Sequence, residues 1–279
     1  MSFSAEVTQG KRFEFGANWR KFLSVVNEKH IQWAEDSLKN MLEIESLEGR
    51  RFLDVGCGSG LFSLAARRLG AAVHSFDYDP QSVACTRELK RRYFPNDSSW
   101  IIEEGSVLDA HYLQSLGKFD VVYAWGVLHH TGEMWKALEL VTLPLAPGGL
   151  LYLAIYNDQG WLSRFWKFVK RTYCSSRLGR WAVQVIFIPW FATRAVLVGL
   201  LKYGNPLGEF INYPKRERGM SLIHNWADWL GGYPFEVAKP EEVFRFYRQR
   251  GFQLTNLRTT NRLGCNEFVF QKGLEREKS

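Results

Sequence analysis

Between Leu53 and Ser63 the chain reads LDVGCGSGLFS, with Gly56, Gly58 and Gly60 spaced as GxGxG after a run of strand-forming residues. A glycine-rich turn between strand and helix lets backbone N–H groups close on a ligand. A dinucleotide site of the GxGxxG type needs its third glycine where this chain has Leu61, and no lysine follows the glycines as a P-loop requires. Asp54 stands two residues before the first glycine. A carboxylate there repels phosphate and attracts a cationic ligand carrying an amino group. Asp77 lies 23 residues farther on, where a carboxylate suits ribose hydroxyls. Ser106 and Val107 stand where they could flank an adenine. FDVVYAWGVLHHT then places His129 and His130 just past a strand, and imidazole is the side chain best suited to take a proton near neutral pH. Adjacent residues point different ways, so one of the two faces a substrate and His129 is preferred. For the same reason the pair is a poor chelate.

These groups need a scaffold, and the pattern around them supplies one. RFLDV, AAVHSFD, WIIEEGSVLD, FDVVYAW and GGLLYLAIY read as strands, with helical stretches between them. LFSLAARRLG is a helix closed by Gly70, and Asp79 followed by Pro80 starts the helix PQSVACTRELKRRYF as N-cap and N1. Such alternation predicts an α/β fold with a parallel sheet covered on both faces. Residues 18–48 read as a preceding helix, with Trp19, Phe22, Leu23, Val26 and Ile31 at helical spacing. After Tyr156 the alternation stops for about 80 residues. It resumes at Lys239-Pro240-Glu241-Glu242 as a helix, and QLTNLRTTNRLG with CNEFVFQKG reads as a closing antiparallel pair.

Composition narrows the class. With 279 residues, 46% apolar and 23% charged, the chain has the balance of a folded protein. Cys57, Cys85, Cys174 and Cys265 form no CxxC pair, which argues against a disulfide framework or zinc knuckle. The first residues lack a secretory apolar core, so a cytoplasmic location is expected. The net charge of +7 is uneven: residues 159–220 carry 11 Lys/Arg and 2 Asp/Glu, so the whole basic excess sits there.

The ordered set DVGCGSG, FDYDP, FDVVYAWGVLHH and LAPGGLLYLAI resembles the class I S-adenosylmethionine-dependent methyltransferases over residues 50–157. That resemblance implies a Rossmann-like, seven-stranded sheet of order 3-2-1-4-5-7-6. It also implies a helical N-terminal cover (1–49), a cofactor-binding core (50–158), a helical insertion after the fifth strand (159–234) and a C-terminal helix with a strand pair (235–274). S-Adenosyl-L-methionine would lie against Asp54, Gly56, Cys57, Gly58, Gly60, Asp77, Tyr78, Ser106, Val107 and Trp125. Asp54 would fix its amino group and Asp77 its ribose. Within the family the chain is most similar to the quinol O-methyltransferases of ubiquinone biosynthesis. It departs from them at Gly126 and His129, where that group has glutamates, so no metal is predicted.

The acceptor must be read from the insertion. WLSRFWKFVKRTY sets Leu162, Phe165, Trp166 and Val169 on one helical face and Arg164, Lys167 and Arg171 on the other. WAVQVIFIPWFATRAVLVGLL is close to a membrane span in length, but Arg194 would cost about 3 kcal/mol near a bilayer centre. Two short helices hinged at Pro189 are expected. A substrate-covering lid is the first reading of this region, and a surface against the inner face of a membrane, touched through residues 161–202, is the second. His224 and Asp228, among Trp226 and Trp229, are second-rank candidates for the pocket. The expected reaction is O-methylation of a small apolar acceptor, quinol- or phenol-like or linked to lipid or sugar, with a histidine base. The alternatives are an RNA (tRNA) methyltransferase using the basic insertion, and a non-catalytic cofactor-binding partner of another enzyme.

Overall fold

The structure is a computed structural model that describes residues 2–216 and 222–273, without the side chains of 214–216, 223–225, 227 and 228. Three helices open the chain: α1 (Phe3–Thr8), α2 (Gly16–Phe22) and α3 (Glu28–Leu42). The helix expected over 18–48 is therefore broken. Asn27 is the cause: its side chain accepts from the backbone N–H of Lys29 and His30 at 3.0 and 3.3 Å, while His30 Nδ1 accepts from Asn27 N–H. This reciprocal capping starts a new helix instead of continuing the old one.

The core alternates β1 (Arg51–Val55), α4 (Leu61–Arg68), β2 (Ala72–Asp77), α5 (Pro80–Tyr93), β3 (Trp100–Glu104), α6 (Ala110–Ser115), β4 (Phe119–Trp125), α7 (Met134–Leu140) and β5 (Leu145–Tyr156). Asp79 caps α5, accepting from Gln81 N–H at 2.9 Å ahead of Pro80. After the insertion, α12 (Pro240–Arg248), β6 (Phe252–Arg258) and β7 (Cys265–Lys272) complete the sheet, whose order is β3-β2-β1-β4-β5-β7-β6. β7 alone runs opposite to the other six strands. One apolar layer joins the sheet to α6, α7 and α12 through Leu113, Leu138 and Tyr247, and the other joins it to α3, α4 and α5 through Ile31, Leu64 and Leu89. The central strands are buried on both faces, which is why they read as continuous apolar runs.

The insertion comprises α8 (Trp161–Ser175), α9 (Arg177–Tyr203), α10 (Gly208–Arg216) and α11 (Leu222–Gly231). Its entry and exit strands meet: Ala238 N–H donates to the Tyr156 carbonyl at 3.0 Å, and Asp158 N–H donates to the Ala238 carbonyl at 3.2 Å. α9 runs through Pro189 as one 27-residue helix, in place of the two expected. Proline removes one internal hydrogen bond there, and aromatic packing of Phe187 and Phe191 against Trp166 holds the turns on either side in line.

Candidate functional site

The C-terminal ends of β1, β2, β4 and β5 open onto a cavity of about 920 Å³, at the point where the strand order reverses. Its floor is the glycine turn. Gly56 and Cys57 N–H donate to the Phe76 carbonyl at 2.8 and 3.1 Å, and Gly58 N–H donates to Asp77 Oδ2 at 2.9 Å. Asp77 also accepts from Asp79 N–H at 2.9 Å. Gly58 has φ +55°, and a Cβ there would come 3.1 Å from the indole nitrogen of Trp19, so α2 closes directly over the turn.

Two carboxylates share this wall. Asp54 is buried and accepts from Ser63 Oγ, which accepts from Ser75 Oγ at 2.8 Å; Trp100 Nε1 donates to Ser75 in turn at 2.9 Å. Burial, together with the negative charge of Asp77, pushes the Asp54 carboxyl up to about 7, and burial pushes Asp77 up to about 6. Among the described residues neither carboxylate forms an ion pair. A ligand carrying positive charge would supply the counter-charge that the protein leaves out.

A second group of side chains forms the other end of the cavity. His130, Phe13, Phe15, Val127, Thr131, Tyr156 and, from the insertion, Tyr213 all line it. His130 Nδ1 lies 2.6 Å from the Pro234 carbonyl, which can only accept, so the proton is on Nδ1 and the lone pair is on Nε2. Burial, aided by the positive charges of Lys170 and Arg12, pulls the imidazole down to about 3. Arg12 fastens the cover: it donates to the carbonyls of His130 and Thr131 at 2.8 and 3.3 Å and pairs with Glu6 at 2.6 Å. Glu6 also accepts from Tyr78 OH at 3.1 Å.

Asp54, Gly56, Cys57, Gly58, Asp77, Tyr78, Ser106, Val107, Trp125 and His130 thus meet on one cavity. Two expected residues do not. His129, the preferred base, is wholly buried behind the wall, where its Nδ1 accepts from Tyr156 N–H at 3.3 Å. The short 3-10 turn Leu128–His130 rotates His130, not His129, toward the opening. Gly60 faces away as well: at φ +80° its missing Cβ makes room for Thr86 of α5, whose Cα would be 2.9 Å away. The side chains of His224 and Asp228 lie outside the described residues. Trp226 packs on Phe191 and Phe210 within the insertion, and Trp229 lies over the buried ammonium of Lys170. Phe3, Glu6, Arg12 and Tyr213 line the cavity without any spacing signal in the sequence that marks them.

Residues 53–151 match the family model described as a methyltransferase domain. Ubiquinone biosynthesis O-methyltransferases from Caulobacter sp. (strain K31) and Xanthomonas campestris pv. campestris (strain B100) are 33% and 32% identical to this chain over 116 and 112 residues. The matches cover 39% and 40% of this chain and 42% and 45% of those proteins, so the chain spans less than half the length of these curated relatives. Among solved structures, magnesium protoporphyrin IX methyltransferase from Synechocystis PCC 6803 with bound SAH superposes with a TM-score of 0.55 at 13% identity. That match covers 92% of this chain and 94% of that one. An O-methyltransferase family protein from Burkholderia thailandensis gives 0.53 at 13% identity, over 88% of this chain and 58% of that one. At these identities the likeness is one of fold.

Proposed function

We propose that the chain, whose residues 53–151 match a methyltransferase domain model, binds S-adenosylmethionine and methylates an oxygen of a small apolar acceptor. The observation that carries this reading is the pairing, in one cavity, of the buried Asp54 and half-buried Asp77 carboxylates with a neutral imidazole whose lone pair is on Nε2. When bound, S-adenosylmethionine supplies an electrophilic methyl on a sulfonium. Asp54 and Asp77, with the Gly56–Gly58 backbone, would hold its amino acid and ribose parts.

The remaining work falls to this chain's own residues. Trp19, Phe15 and Phe13 cover the cavity and exclude water, which favours transfer to the acceptor over loss to solvent. The aromatic lining favours a flat or apolar acceptor, phenolic, quinol-like or carried on a lipid. Holding acceptor and donor in line in a dry pocket supplies most of the rate. His130 Nε2 takes the hydroxyl proton. A hydroxyl under methylation becomes far more acidic than the free alcohol, so even an imidazole at about 3 accepts from it. The name of the curated relatives supports oxygen as the acceptor atom.

Calorimetry with S-adenosylmethionine tests the first half of this reading. Incubation with methyl-labelled cofactor and a lysate, followed by fractionation, tests the second. Label is expected in the apolar small-molecule or lipid fraction. Label in RNA, or no heat of binding, would overturn the reading.

A further inference from the structure

The helices α8 and α9 expose what a folded chain ordinarily buries. Trp161, Phe168, Leu178, Trp181, Ile186 and Leu201 are each 62–89% exposed. Only 17% of the most apolar 18-residue stretch of α9 is buried. On α8 Trp166 and Val169 are buried and Arg164, Lys167 and Arg171 exposed, as the sequence pattern suggested, but Trp161, Phe165 and Phe168 share the outer face with those cations. Arg177, Arg180 and Arg194 continue the basic series along α9, and residues 161–203 contain no Asp or Glu. An apolar surface of this breadth, studded with cations, requires an occupant.

We propose that this face seats on the surface of an anionic lipid bilayer. Charge complementarity selects the occupant. Two copies of the chain would press like charges together, whereas acidic headgroups neutralise the arginines and lysines while the exposed tryptophans enter the headgroup boundary. Trp161, Trp181 and Trp190 have the amphipathic rings that concentrate at that depth. α9 lies along the surface and does not cross it. Val183, Ala195 and Gly199 are buried on its other flank, with Val183 against Trp166 and Tyr173 of α8 and Gly199 against the Asn205 and Pro206 backbone. Arg194 stands exposed within the span-length stretch. The surface reaches the cavity through one intermediate helix, since α10 packs on α9 and contributes Tyr213 to the cavity wall. The assignment stands apart from the methyl-transfer reading, because it rests on the outer face of the insertion alone.

Flotation of the full chain with lipid vesicles tests it. The protein should rise with vesicles of phosphatidylcholine and phosphatidylglycerol and remain below with phosphatidylcholine alone. Combined Arg164→Glu, Lys167→Glu and Arg171→Glu should weaken binding by at least about a hundredfold, at roughly 1 kcal/mol for each basic residue near an anionic surface. Combined Trp161→Ser, Phe168→Ser and Trp181→Ser should abolish it, with circular dichroism unchanged because all three are exposed. Failure to float with the anionic vesicles, equal binding to both kinds, or binding indifferent to both sets of substitutions would overturn the proposal. So would resistance to alkaline extraction, which marks a true span. Lipid-free dimerisation removed by the serine set, without vesicle binding, would assign the face to a second copy instead.

Discussion

His130 donates a hydrogen bond from Nδ1–H to the Pro234 carbonyl across 2.6 Å, a contact between residues 104 positions apart that fixes the imidazole tautomer. Pro234 closes the insertion, so the end of the insertion also orients the imidazole proposed as the base. Replacing His130 with alanine should lower kcat by about 10²–10⁴-fold, with the cofactor dissociation constant unchanged. Because the imidazole stays neutral down to about 3, kcat should not fall between pH 8 and 5 through its protonation. A titration near 6.5 that vanishes in His130→Ala would contradict this.

Burial holds the Asp54 carboxyl at about 7, above the ordinary 3.8. A carboxyl raised in this way contributes stability that is complete below 3.8 and is lost as pH rises through about 7. Asp54→Asn should therefore melt a few degrees higher than the natural chain at pH 8, at about 2–4 °C per kcal/mol, and level with it at pH 4. The same substitution should abolish cofactor binding at pH 8. In the natural chain, affinity for S-adenosylmethionine should rise from pH 5 to pH 8 as Asp77 and then Asp54 ionise, which calorimetry across that range measures.

Gly60 serves packing as well as the turn. Gly60→Ala forces a side chain into the left-handed region and onto Thr86, and should cost about 2–5 kcal/mol in denaturant unfolding. Gly49, at φ +72° with no atom within 4 Å of an added Cβ, is the control: Gly49→Ala should cost only the conformational part, about 1–2 kcal/mol. Equal losses at the two positions would refute the packing role of Gly60.

Arg12 ties the N-terminal cover to the histidine turn through two carbonyls and Glu6. Arg12→Ala should raise KM for the acceptor about tenfold and speed proteolysis within residues 2–15, while the melting temperature changes little, since a charged hydrogen bond contributes about 1.5–3 kcal/mol locally. Arg12→Lys should restore little of it, because one ammonium cannot reproduce a three-point fork.

The sheet and the donor end of the cavity were legible because their signals are local. Strand periodicity, the Gly56–Gly60 spacing and the cap at Asp79 each act within a few residues. The histidine end was not. Whether His129 or His130 faces the cavity depends on the rotation of one 3-10 turn, set by contacts with Tyr156 and Pro234 far along the chain. The continuity of α9 through Pro189 is likewise decided by packing on Trp166, which helix propensity does not contain. Asn27 carried a local signal, its capping pattern, and the apolar spacing on either side concealed it.

The paired hydrogen bonds at Tyr156, Asp158 and Ala238 have a wider consequence. The excursion of about 80 residues begins and ends at one stapled neck, which Asn157 anchors by donating to the carbonyls of Thr260 and Arg262. Since loop-closure entropy grows only slowly with length, the sheet is nearly indifferent to how much chain hangs from that neck. Changes of length within the insertion should therefore cost the sheet little, whereas any change that displaces Pro234 is felt at His130.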